Sequence, residues 1–136
     1  MSRVTLDMIP KLFGGVEKTP GVYQQGLQMY DMAGGIIYEN FQHWNILDKI
    51  YSFCRTEEMS VVAYWGDTLY ANALTQHTGI TEIYRDSAAV VPTQGVRGLE
   101  RSGIYTHKMI IMHFSPMVVT SIRDRLKVAL EGTGAV

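Results

Sequence analysis

An α+β domain is the fold class the sequence predicts, with a small, mostly antiparallel sheet, a long N-terminal helix and a C-terminal helix. Three observations predict it. Tyr23, Leu27, Tyr30, Gly34, Ile37, Phe41, Trp44, Leu47 and Tyr51 recur every three or four positions, which is helical spacing. Two apolar runs, 59–65 (MSVVAYW) and 104–114 (IYTHKMIIMHF), have the length and β-branched content of buried strands. An amphipathic stripe then begins directly after Ser115-Pro116.

Each element follows in order. Residues 4–13 read as a short helix or turn interrupted by Pro10, and Gly14-Gly15 with Thr19-Pro20-Gly21 frame a connection. Val22–Cys54 is expected to be the long helix, kinked or broken at Gly34-Gly35, because each glycine weakens a helix interior by roughly 1 kcal/mol relative to alanine. After the 59–65 strand, Asp67 is positioned to cap a helix over Thr68–His77, with an alternating strand as the competing reading. Ile80–Asp86 and Ala88–Val91 read as strand, closed by Pro92. Thr93–Gly103 holds three glycines and little periodicity, so a loop or hairpin connection is expected. In the last helix Ser115 is a natural N-cap and Pro116 suits the first turn. Val119, Ile122, Leu126, Ala129 and Leu130 make its apolar stripe, and Gly132 ends it. The whole reads as one domain over 1–136, with an extended N-terminal segment 1–21 and a tail 132–136.

Composition narrows the function classes. Hydrophobic residues make up 46% of the chain, enough for a core, while charged residues are 18%, below the roughly 25% usual for soluble domains. Part of the surface is therefore expected to be covered by neighbours. Twelve basic and 13 acidic residues give a net charge of −1, which supplies no drive toward nucleic acid or anionic lipid. Cys54 is the single cysteine, which excludes an internal disulfide and a thiolate zinc cluster and fits a reducing compartment. Met1–Pro10 carries Asp7 and lacks a continuous apolar core, so no signal peptide is read there, and no apolar run approaches the roughly 20 residues of a spanning helix. The expected location is the cytoplasm or a virion.

Candidate chemistry is sparse. His107 and His113 share a face of one expected strand but lie about 20 Å apart at roughly 3.3 Å per residue, too far to bind one metal. Glu39 and His43 form a helical Glu-x-x-x-His pair with no further ligands nominated. Cys54 sits beside Arg55 but among Ile50, Tyr51 and Phe53, the setting of a small buried hydrophobe. Gly95-Val96-Arg97-Gly98 matches G-x-x-G without the flanking helices a nucleic-acid clamp needs. His113 and Ser115 share a side, but the nucleophile-elbow pattern is absent and Ser115 has a capping role. No catalytic residue, metal ligand or cofactor site is assigned.

Two functions survive this reading. The first is a non-enzymatic structural subunit of a symmetric homo-oligomer, such as a neck, tail or capsid-associated part of a virus particle. Eight tyrosines, two tryptophans and eight methionines suit an interface core. Its expected interface residues are Tyr23, Tyr30, Ile37, Phe41, Trp44 and Tyr51 on the helix, with Arg97 and Arg101 on the loop. Its partners are copies of the chain and other assembly proteins. The second is a small enzyme or ligand-binding domain with a pocket between helix and sheet near His107, with Tyr105 and Asp86 as further polar groups and Trp65 as a wall. There Asp86 would orient His107 as a base.

Overall fold

The structure is a computed structural model that describes residues 20–66, 68–83 and 87–135. The expected segment 4–13 and the two acids Asp67 and Asp86 lie outside the described residues. The architecture is α+β, as expected, but it holds two small antiparallel sheets, and the long N-terminal helix gives way to strands.

Three short strands come first: β1 (Gly21–Tyr23), β2 (Gln28–Tyr30) and β3 (Ile36–Glu39), hydrogen-bonded in that order. The helix expected over Val22–Cys54 starts only at α1 (Trp44–Thr56). Gly34-Gly35 is neither a kink nor a helix contact. It is a hairpin turn closed by Asp31, whose Oδ1 accepts the N–H groups of Ala33 (2.8 Å) and Gly35 (2.7 Å) while its own N–H donates to Gly35 O (2.9 Å). Gly34 has φ +82°, which glycine adopts without steric cost. The three-to-four spacing of rings is a by-product of the fold-back. The register aligns Gly21 with Tyr30, and Tyr23 meets Tyr30 edge-on at 5.6 Å.

Helix α1 begins at His43, whose Nδ1 accepts the Asn45 N–H. Its buried stripe is Leu47, with Ile50, Tyr51 and Cys54 on the following turns. The second sheet is β5 (Thr68–Ala71), β4 (Ser60–Trp65) and β6 (Lys108–Met112), with β4 in the centre. Central position explains the composition of β4. Both faces are covered, so its sequence is a continuous rather than alternating apolar run. Val61 packs toward Cys54, Met59 and Ile122 on the helical side. Val62 and Tyr64 pack toward Leu69, Ala71 and Met112 on the other.

Between β4 and β5 the chain reverses at Gly66 (φ +56°), so Thr68–Ala71 is the competing strand rather than a capped helix. The 80–91 region also differs from expectation. Ile80–Ile83 is a short helix, α2, and of Ala88–Val91 only Val90 pairs, in a single bridge with Tyr70. The expected 93–103 loop contains a short helix, α3 (Val96–Arg101), anchored by buried Leu99 and bound by Gln94, whose Nε2 donates to Gly98 O and Ser102 Oγ.

Helix α4 (Pro116–Ala129) matches the expected bounds. Its N-cap side chain is idle, however, and the Ser115 N–H donates to His113 Nδ1 instead (3.0 Å). Of the expected stripe Ile122 is buried and Leu126 half-buried, while Val119 and Ala129 are exposed. Arg125 pairs with Glu57 and ties α4 to the end of α1. No helix among the described residues is long and apolar enough to cross a membrane.

Because Asp31 closes the β2–β3 turn, Asp31→Ala is expected to lower stability by about 1–2 kcal/mol, the net worth of two hydrogen bonds at an exposed turn. Urea denaturation with an unchanged m-value checks it.

A groove between two helices and the sheet

The segment 40–43, which joins β3 to α1, crosses the end of β6 and places the main candidate site. Gln42 N–H donates to Thr106 O (2.8 Å), and Gln42 Nε2 reaches His107 O (3.4 Å). His107 is 0% exposed and both ring nitrogens are occupied. Gly66 N–H donates to Nδ1 (3.0 Å), so the ring proton sits on Nε2 and is given to Glu39 Oε1 (3.1 Å). This is a hydrogen bond from a neutral imidazole rather than an ion pair. Gln28 Nε2 donates to the same carboxylate oxygen (2.8 Å), and Gln24 Nε2 donates to Gly66 O (3.0 Å). Phe41 covers the imidazole at 4.7 Å between centroids and touches Tyr105 at 5.2 Å on its other contact.

On the helical side of the second sheet this arrangement leaves a groove of about 1010 Å³. Its floor is Met109 and Ile111 of β6. Ile46 and Ile50 of α1 form one wall, and Val119, Ile122 and Leu126 of α4 form the other. Gln25, Asn40, Gln42, His43 and Arg123 supply the polar groups, while the Lys108 ammonium turns to the other face of the sheet. His43 gives its Nδ1 to the cap of α1, which leaves Nε2 as its outward donor. Lys108 Nζ lies 4.5 Å from the centroid of the Tyr64 ring. No aspartate or glutamate lines the groove among the described residues. Gln25 enters it from a strained turn, since Gln24 (φ +50°) and Gln25 (φ +60°) both hold the left-handed conformation that non-glycine residues avoid. Buried Gln24 Oε1 has no partner among the described residues.

The expected site residues scatter. Tyr23 and Tyr30 are buried and Tyr51, Phe41 and Trp44 half-buried, so the protomer itself shelters most of the rings proposed for an interface. Ile37 stands out at 63% exposed, on β3. Arg101 is exposed at the end of α3, and the Arg97 side chain lies outside what the structure describes. His107 does not line the groove. It clamps the sheets instead, with Glu39 as its carboxylate partner among the described residues, while Asp86, its expected partner, lies outside them. Trp65 is exposed at the end of β4 rather than a groove wall. Glu39 and His43 do not form a helical pair, since Glu39 ends a strand. His113 stacks on His77 at 4.4 Å, and no group of three or more His, Cys, Asp or Glu able to hold a metal occurs among the described residues. The groove residues come from four separate segments, so no local pattern announced them.

Burial pushes the Cys54 thiol up to about 12 and raises the Tyr51 phenol as well, through desolvation first and the Cys54 thiolate second. This agrees with Cys54 as a buried hydrophobe.

No protein-family model matches the sequence, and no curated protein matches it significantly. The fold is similar to a haloacid dehalogenase-like hydrolase from Bacteroides thetaiotaomicron, with a TM-score of 0.63, 16% identity, and 79% of this chain and 40% of that one covered. It is similar to TM0651 from Thermotoga maritima, with a TM-score of 0.68, 16% identity, and coverage of 83% and 41%. BT1666 from Bacteroides thetaiotaomicron, from a study of phosphatases of the haloalkanoate enzyme superfamily, gives 0.55, 16%, and 75% and 37%. The chain thus spans about two-fifths of the length of these proteins. At such identity the likeness is one of fold. It nonetheless corrects the expectation of a virus-particle subunit, since the fold recurs in hydrolase chains.

Two predictions follow from the clamp and from the buried thiol. Glu39→Ala leaves the His107 Nε2–H and the Gln28 amide without their acceptor and is expected to cost about 2–4 kcal/mol, against about 1 for Glu39→Gln, in urea denaturation. Cys54 ionises more readily unfolded than folded, so its stabilising share is complete below about pH 8.5 and shrinks as pH rises toward 12. Thermal melts are expected to fall above pH 9, less steeply in Cys54→Ala, and the native thiol is expected to resist a disulfide reagent at pH 8.

Proposed function

We propose that this chain is a ligand-binding domain of hydrolase-type architecture, and that the groove between α1, α4 and β6 holds an organic anion. One observation carries the reading. The groove has an apolar floor and walls, its polar groups are amides, imidazole and guanidinium, and none of its described lining residues is a carboxylate. A molecule with an apolar body and an anionic end suits that distribution, with the body on Ile46, Ile50, Met109 and Ile111 and the anion toward His43 and Arg123. A phosphate monoester is the first class to test, because one of the solved proteins of this fold comes from a study of phosphatases. None of the described lining residues is a carboxylate, serine or cysteine able to attack an ester, and His43 offers an imidazole for proton transfer.

Methyl-resolved NMR titration with 4-nitrophenyl phosphate tests this. Shifts at Ile46, Ile50, Met109 and Ile111 are expected, and Arg123→Glu is expected to weaken binding about tenfold, the worth of one charge-assisted contact of about 1.4 kcal/mol. Unmoved groove methyls at millimolar ligand refute the reading.

A further inference from the structure

The turn that joins β1 to β2 is more strained than a hairpin requires. Gln24 (φ +50°), Gln25 (φ +60°, ψ +36°) and Gly26 (φ +93°) are left-handed in succession. Glycine holds that conformation freely, whereas a Cβ there crowds the following carbonyl. Gly26 is therefore unstrained, and the two glutamines need a reason. Gln24 has one inside the fold. It is 1% exposed, and its Nε2 donates to Gly66 O (3.0 Å), which ties the turn to the second sheet. Gln25 has none. It is exposed, and its carboxamide makes no hydrogen bond among the described residues. What it does is line the groove, beside Leu27. Asn40 N–H donates to Leu27 O (2.9 Å), which sets the turn alongside the 40–43 segment that ends in His43. Strain kept at a residue with no duty in the fold points to a duty toward a ligand.

We propose that Gln25 is a recognition residue of the groove and that its Nε2 donates to an oxygen of the bound anion on the His43 side, a role that rests on the anion reading of the groove. A carboxamide suits that place, because its NH2 donates to an oxyanion without bringing a charge that must itself be neutralised. The bound anion then joins the first sheet, through Gln25, to the start of α1, through His43. Two substitutions separate this role from a role in the turn alone. Gln25→Glu keeps the shape and the backbone strain but replaces the donor with a carboxylate. Gln25→Gly removes the donor and the strain together. A residue that served only the turn would alter stability and leave binding as it was.

Titration of the wild type and both variants with 4-nitrophenyl phosphate, read at the Ile46 and Ile50 methyls, tests the proposal together with thermal melts. Gln25→Glu is expected to bind about tenfold more weakly at an unchanged melting temperature. Gln25→Gly is expected to bind several-fold more weakly and yet to melt about 2–5 °C higher, because the strain is gone. Two variants that bind as the wild type does overturn the role of Gln25 and leave the groove reading standing. A loss in Gln25→Glu alone also overturns it, since a new carboxylate repels an anion even where no donor was lost. A Gln25→Gly chain that melts no higher than the wild type does the same, since no strain was then being held. A wild type whose groove methyls do not move takes the groove reading and this role down together.

Discussion

Everything in the placement of the groove depends on His107. A buried imidazole must satisfy two nitrogens with opposite needs, one as acceptor and one as donor. Here the acceptor is met by the Gly66 amide, in the hairpin turn of the second sheet, and the donor by Glu39, the last residue of β3 in the first sheet. One ring therefore fixes the distance and angle between two sheets that share no strand. Gln28 and Gln24 extend the same tie to β2 and to the turn after β1. Removal of any member leaves another polar group buried without a partner, which costs more than the net gain of forming the bond.

The clamp also decides where α1 begins. Glu39 is held inside, so the next four residues must cross the end of β6, and Phe41 closes over the imidazole. His43 then caps α1 at a position that leaves Ile46 and Ile50 facing the sheet without touching α4 along their whole length. Arg125 and Glu57 bring the helices together at one end only. The groove is the space left between two helices that converge there, over the β6 floor.

How much of this the sequence carried depends on range. Strand β4 and helix α4 were legible because their signals are local: a run of β-branched residues in one case, Ser-Pro and an apolar stripe in the other. The first sheet is not legible in the sequence because Tyr23, Tyr30 and Ile37 are each seven residues apart, which a helix and a set of short strands satisfy equally. The signal that separates them is Asp31 three residues before Gly34-Gly35, an acceptor placed to close a turn. Gly66-Asp67 carried a similar hairpin signature, read instead as the start of a helix. The groove had no sequence signal at all. Its floor is in β6, its walls are in α1 and α4, and its turn is at Gln25, a separation of up to about a hundred residues that only pairing and packing bring together.

Net charge was equally uninformative about the site, for a physical reason. With 12 basic and 13 acidic residues the chain is close to neutral, yet neutrality of the whole does not require neutrality of each surface. The acids sit elsewhere: Asp31 closes a turn, Glu39 is spent on His107, Glu57 on Arg125, and Asp124 on Arg123 at an exposed position. The groove lining keeps His43 and Arg123, the latter partly offset by its exposed pair with Asp124. The anion proposed for the groove rests on which charges the fold assigns to structural duty, and not on how many the chain contains.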